Sequence, residues 1–217
     1  MDPALVQRLV TEIEQQDMST AAHTWRVVLY ARALAERFDL PDHQMELITH
    51  GAALHDIGKL DIPRKILIKP ARLTAEEFEV IKQHPITGQA RLVSLGVEEE
   101  LILDLVRAHH ERWDGLGYPL GLKGEEIPLA ARVFSVIDTF DALTSYRPYR
   151  HEVGERAADH AIEELERGRG TWYWADAVDA FVQLYRGESL GWILHYYNDT
   201  ACGVSYRPDA PIGPPST

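Results

Sequence analysis

The sequence predicts an all-α fold: a single compact helical domain interrupted by one long functional loop. Three observations carry this. Apolar residues recur at helical spacing along most of the chain, helix-starting and helix-stopping residues punctuate those stretches, and no alternating strand pattern occurs. A length of 217 residues with 45% hydrophobic content suits one domain with a proper buried core and excludes global disorder.

The elements follow in order. Leu5, Val6, Leu9, Val10 and Ile13 set the first helix. A second runs from about Thr20 to Phe38 and stops near Asp39-Leu40-Pro41. Asp42 is the expected N-cap of a third, which continues to about Ile57 before Gly58 and Pro63 break it. Thr74 and Glu77 form a capping box for a fourth, reaching about Gln83. His84-Pro85 opens the next, through about Leu95 to a stop at Gly96. Val97 to about His110 is helical again, with Leu101, Ile102, Leu105 and Val106 on its apolar face.

From Glu111 to Pro128 the chain reads RWDGLGYPLGLKGEEIP after the Glu, a loop of about 18 residues, and irregular loops of that length are often functional. Leu129 to about Ser145 is a strongly apolar central helix. Helices at about 155–167 and 176–186 follow, and the Pro-rich tail from Tyr206 is expected on the surface. The aromatic residues Trp172, Trp174, Trp192, Tyr196 and Tyr197 read as core or dimer contacts, which leaves a homodimer open.

Composition narrows the function. A net charge of -12 argues against a binder of nucleic acid polymers. An anionic substrate then needs cations and a few Arg or Lys residues to make a local positive site. The single Cys202 excludes an internal disulfide and a Cys-rich zinc motif, and suits a cytoplasmic protein. No apolar run has the length of a membrane span, and the acidic amphipathic N-terminus is unlike a signal peptide.

Within this acidic chain, His23, His55, Asp56, His84, His109, His110 and Asp138 fall at helix ends or inside helices around the loop. Imidazole and carboxylate are the expected ligands of divalent transition metals. A single histidine means little, and His43, His50, His151, His160 and His195 keep an ordinary surface or core reading. The set carries the signal: a His-Asp pair, a His doublet and an Asp on an apolar helix. On a helix, His55 and Asp56 point about 100° apart, so they can serve one ion or let the Asp reach a second. Asp138 and Asp141 share a helix face, where Asp141 either supports a ligand or pairs with Arg147 and Arg150. Lys59 lies one turn beyond Asp56, and the guanidinium groups of Arg147 and Arg150 suit phosphate.

These residues resemble the HD-GYP phosphodiesterases of the larger HD superfamily. The matching stretches are His23, HDIGK at 55–59, KQHP around His84, HHERWDGLGYP at 109–119 and DTFDALTSYRPYR at 138–150. The resemblance divides the chain into an N-terminal helix (1–18), an HD-GYP-like catalytic domain (19–187) and a C-terminal extension with a Pro-rich tail (188–217). It implies an HD-type helical fold and hydrolysis of cyclic di-GMP to linear pGpG, with continuation to GMP left open. It implies one metal at the His23, His55, Asp56 and Asp138 positions and a second at His84, His109 and His110, bridged by Asp56. Lys59 then lies beside the scissile phosphate, and Arg147 and Arg150 contact substrate phosphates. Tyr118 of the Gly117-Tyr118-Pro119 loop is a further candidate substrate contact, by base stacking, as is Trp113. The loop itself is a candidate surface for a GGDEF-type diguanylate cyclase domain.

Two departures stand out. Some members carry a Glu four residues before the first His that binds a third metal; here the position is Ser19, so two divalent ions are expected, iron or manganese by ligand type. The segment TWYWADAVDAF also departs from the usual Phe-Asp-Pro wording. In the expected mechanism a hydroxide shared by the two cations attacks phosphorus, with Lys59 assisting the leaving ribose oxygen. Two rivals stay open: a phosphohydrolase of another cyclic dinucleotide or nucleotide, and a non-catalytic signalling adaptor.

Overall fold

A computed structural model describes residues 1–16, 21–145, 155–187, 190–197 and 206–209. The order is α1 (Pro3–Gln16), α2 (Ala21–Glu36), α3 (Asp42–Leu54), α4 (Arg64–Leu67), α5 (Ala75–Ile81), α6 (His84–Ser94), α7 (Glu100–Ala108), α8 (Leu129–Thr144), α9 (Glu155–Gly168), α10 (Ala175–Gly187) and α11 (Gly191–Tyr196). Short 3-10 turns at Ile57–Asp61 and Gly124–Glu126 complete it, and no strand forms among the described residues beyond one isolated bridge, Arg169 to Tyr173. No described helix is long and apolar enough to cross a membrane.

Two helices dominate the interior. Apolar residues surround α2 on nearly every side, and Val27, Tyr30, Ala31 and Leu34 are fully buried. α8 is its counterpart, with Phe134, Ile137 and Phe140 at zero exposure. Helices this apolar all round belong at a domain centre, not on a surface. α2 packs against α3 and α8, α3 against α7, and α7 against α6 and α8. Tyr30, Phe140 and Phe181 meet edge to face and tie α10 to this pair. The site described below lies where α2, α3, α6, α7 and α8 converge.

The helix starts and stops differ from expectation at informative places. Asp42 is not an N-cap: Pro41 holds that position and Asp42 is the first helical residue. Its carboxylate in the first turn suits the helix dipole instead. The third helix ends at Leu54, short of Ile57, because the chain tightens into the 3-10 turn at Ile57. The helix expected from Val97 begins at Glu100. The Thr74–Glu77 capping box forms as expected, with both reciprocal hydrogen bonds present. Two short helices, α4 and α11, have no counterpart in the sequence reading. The tail does not start on the surface either: Tyr206 is buried against Trp25.

Candidate metal centre

The break between α3 and the following 3-10 turn builds the centre of the site. His55 caps α3 in helical geometry (φ -52, ψ -35), while Asp56 leaves it (φ -96, ψ 10). The two side chains therefore converge, with His55 Nε2 3.1 Å from Asp56 Oδ2. The other oxygen, Oδ1, faces His84 Nε2 at 3.4 Å. One carboxylate thus looks toward two separate groups of imidazoles.

Gly58 makes this possible. A side chain there would put Cβ 1.9 Å from the His84 carbonyl oxygen, so only glycine lets the turn lie against the start of α6. That close approach brings His84 to Asp56. His109 and His110 follow α7 directly, and His84 Nε2 stands 3.2 Å from His109 Nε2. His84, His109 and His110 each offer a nitrogen, all within 4.8 Å of one another, and His23, His55 and Asp56 make a second such group. Asp138, on α8, places Oδ1 3.9 Å from His55 Nε2.

The ring tautomers are set by the backbone. His55 Nδ1 lies 2.7 Å from the Ala52 carbonyl, His84 Nδ1 2.7 Å from that of Ile81, and His109 Nδ1 2.9 Å from that of Val106. A carbonyl only accepts, so each Nδ1 carries the proton and donates, and each ring turns Nε2 toward the centre. His23 achieves the same through a side chain, its Nδ1 lying 2.7 Å from Asp141 Oδ2. Nε2 atoms aimed inward, with Nδ1 held by an outer acceptor, are how metal-ligating histidines are commonly oriented.

The electrostatics split the site. Burial drives His109 well below the usual imidazole range, with His110 and His84 adding to it, and burial brings His110 down to about 4. Burial also lowers His84, against the opposing charge of Asp56. These three rings are neutral and have nitrogen lone pairs to give. Burial pulls His55 down too, but the charge and hydrogen bond of Asp56 outweigh it and carry it up to about 9. Burial would raise Asp56, yet His55 and Lys59 hold it well below the usual carboxylate range. Lys59 Nζ sits 2.7 Å from Asp56 Oδ2. Anionic oxygen and neutral nitrogen donors converge from several helices, and this donor set fits divalent cations.

Asp141 is 1% exposed. Its oxygens hold His23, the guanidinium of Arg26, and Ser145 Oγ at 2.8 Å. Arg147, Arg150 and Ser19 lie outside the described residues. Tyr118 is half-buried with its ring 4.7 Å from that of His110, and Phe78 meets it edge-on. The Trp113 ring packs with Trp174 and under Arg132, which leaves Tyr118 the better placed of the two aromatic candidates.

Two contributors went unnoticed in the sequence. Arg26 is one, in an apolar stretch where a lone Arg gives no signal. Glu111 is the other. It is buried, and its carboxylate accepts the N–H groups of Leu120 at 2.7 Å and Leu122 at 3.0 Å, which ties down the far end of the loop. Gly117 passes so close that a Cβ would lie 2.3 Å from Arg112 N. The HHE wording held the Glu111 signal; its targets are backbone atoms, which the sequence does not mark.

Comparisons with known proteins agree with this architecture. The family model described as HD domain matches residues 6–177. A cyclic di-GMP phosphodiesterase of Thermotoga maritima is 42% identical over 173 residues, covering 79% of this chain and 46% of that protein. A 3'3'-cGAMP-specific phosphodiesterase of Vibrio cholerae is 36% identical over 153 residues, covering 67% of this chain and 28% of that protein. The chain thus spans less than half the length of either relative. Among solved structures, a cyclic GMP-AMP-specific phosphodiesterase of V. cholerae aligns with a TM-score of 0.64 at 17% identity, covering 91% of this chain and 51% of that one, a likeness of fold. With its family match, its helical architecture and its inward-facing His and Asp side chains, the chain belongs to the HD domain family.

Proposed function

We propose that this chain is a metal-dependent phosphodiesterase of the HD-GYP type that hydrolyses cyclic di-GMP to linear pGpG. One observation carries the reading: the two oxygens of Asp56 face two different groups, His55 at 3.1 Å and His84 at 3.4 Å. His23, His55, Asp56 and Asp138 would hold one cation, and His84, His109 and His110, sharing Asp56, a second. Two ions of iron or manganese suit this nitrogen and oxygen set, and Ser19 in place of a carboxylate argues against a third. Such cations supply Lewis acidity and neutralise charge on the phosphate.

The chain's own groups do the rest. Lys59, beside Asp56, would steady or protonate the ribose oxygen that leaves when water adds to phosphorus. Arg147 and Arg150, one helix end away from Asp138 in sequence, would clamp the phosphates through their planar forks. Tyr118, packed on His110, borders the site as a contact for the substrate. Leu116 and Leu120 are exposed on the GYP loop, which supports contact with a GGDEF-type partner. Exposed Trp172 and Tyr196 are the residues a homodimer would bury. The single cysteine suits the cytoplasm.

A second reading, hydrolysis of 3'3'-cGAMP, is favoured by the V. cholerae relative at 36% identity. A substrate panel read by product chromatography separates the two. Faster turnover of cyclic di-GMP, with pGpG appearing first, supports the proposal. Turnover of 3'3'-cGAMP with cyclic di-GMP left intact selects the alternative, and no turnover by cation-loaded protein selects a non-catalytic adaptor.

A further inference from the structure

Among the described residues, one of the most heavily buried charges lies behind the metal centre, not in it. Arg26 is 1% exposed, at the middle of α2. An arginine so placed must have every direction of its guanidinium answered, because an unpaired buried charge is among the costliest features a fold can carry. Its Nε donates to Asp141 Oδ1 and its Nη2 to Asp141 Oδ2 at 3.2 Å, a two-point grip on one carboxylate. The same Nη2 lies 2.7 Å from Ser145 Oγ, which in turn donates to Asp141 Oδ2. The remaining arm, Nη1, donates to the backbone carbonyl of Tyr197 at 2.6 Å.

Tyr197 caps the C-terminus of α11, twenty residues beyond the last position matched by the family model, residue 177. Its docking is not incidental. Trp25, next to Arg26, stacks on the Tyr197 ring at 5.4 Å and 22°, and meets the Tyr206 ring edge-on at 5.1 Å. Tyr197 and Tyr206 are both buried. The C-terminal segment therefore grips α2 at two adjacent residues, Trp25 by its rings and Arg26 by a carbonyl. Asp141, held by Arg26, is the acceptor that fixes Nδ1 of His23.

We propose that the C-terminal segment is a working part of the metal centre: the Tyr197 carbonyl fixes Arg26, Arg26 fixes Asp141, and Asp141 sets the ring of His23 as a ligand. Arg26 is a positioning residue; it acts on the cation only through Asp141 and His23. His55, His84 and His109 take their orientation from backbone carbonyls three residues back in the chain. His23 alone among these four depends on a chain of side chains that ends outside the matched domain. Its half of the site is therefore the half that the C-terminal segment can tune. The inference rests on the reading of these groups as cation ligands.

The test is Mn(II) binding by equilibrium dialysis of the full chain after chelator treatment, with helical content checked by circular dichroism. Lysine at position 26 keeps the charge but lacks the planar fork, so Arg26→Lys loosens the grip on Asp141. One Mn(II) equivalent is expected to weaken by about 10–100-fold, the usual cost of losing a group that orients a ligand, while the other is unchanged. Tyr206→Ala is expected to shift the same equivalent in the same direction by a smaller factor. Ser145→Ala, which removes one hydroxyl from the network, carries the test should Arg26→Lys fail to fold.

Folded Arg26→Lys or Ser145→Ala protein with both equivalents at wild-type affinity overturns the proposal. A shift in Arg26→Lys with none in Tyr206→Ala overturns the share assigned to the C-terminal segment. Wild-type protein that binds Mn(II) but leaves cyclic di-GMP intact defeats the functional reading and not this one. Wild-type protein that binds no Mn(II) defeats both.

Discussion

The two halves of the centre are built on opposite electrostatic plans. His84, His109 and the half-buried His110 form a nest of imidazoles, all pushed toward neutrality, the last to about 4. His23, His55, Asp56 and Asp138 mix carboxylate with imidazole, and there His55 rises to about 9. The first half is a set of lone pairs, with His84 and His109 oriented by backbone carbonyls. The second is a charge network balanced by Lys59 and Arg26. Asp56 belongs to both, and the difference teaches where each kind of substitution should act.

The largest effect is expected where the halves join. Asp56→Ala should remove both Mn(II) equivalents and all measurable phosphodiesterase activity, read by dialysis and product chromatography; an active, cation-loaded variant would break the account. Next comes Lys59, which touches the Asp56 carboxylate. Lys59→Met should keep both cations and lose about 10²–10⁴-fold in kcat, the usual range for a lost proton donor. Loss of cations in that variant would move Lys59 into a structural role.

The carboxylate half can also be probed through stability. Asp141→Ala leaves Arg26 buried with its main partner gone, which should cost about 3–5 kcal/mol in denaturant unfolding. The pH dependence has a definite sign. Burial would raise Asp141, but Arg26 and His23 hold it far below the usual carboxylate range. Its stabilisation is therefore fully present above the unfolded value of about 3.9 and is lost as pH falls below that. In Asp141→Asn this part of the acid dependence should vanish, and an unchanged acid limb would contradict it. The smallest change is expected at Tyr118. Phenylalanine keeps the stacking on His110, so Tyr118→Phe should lose only the hydroxyl's share, about 0.5–1.5 kcal/mol in kcat/KM.

The same contrast explains what the sequence made legible. The ligand candidates could be seen because HDIGK and HHE place chemistry-bearing residues side by side, and adjacency survives in a string. The all-helical fold followed from apolar periodicity, which α1 and α7 display over several turns. Gly58 was read only as a helix breaker, because its contact with the His84 carbonyl depends on how two helices meet. Arg26 was invisible for a stronger reason: its acceptor, Asp141, is 115 residues away, and a lone Arg among apolar residues has no spacing to betray it. α4 and α11, at 4 and 6 residues, are too short for any periodic pattern to develop. Asp42 has the right chemistry for a cap but stands one residue too late.

The central claim is that Asp56 joins the two halves into one dinuclear centre. Electron paramagnetic resonance of chelator-treated protein reloaded with saturating Mn(II) tests it most directly. The account predicts an exchange-coupled pair in the wild type that disappears in Asp56→Ala; a wild-type spectrum of isolated Mn(II) ions at saturation would contradict it.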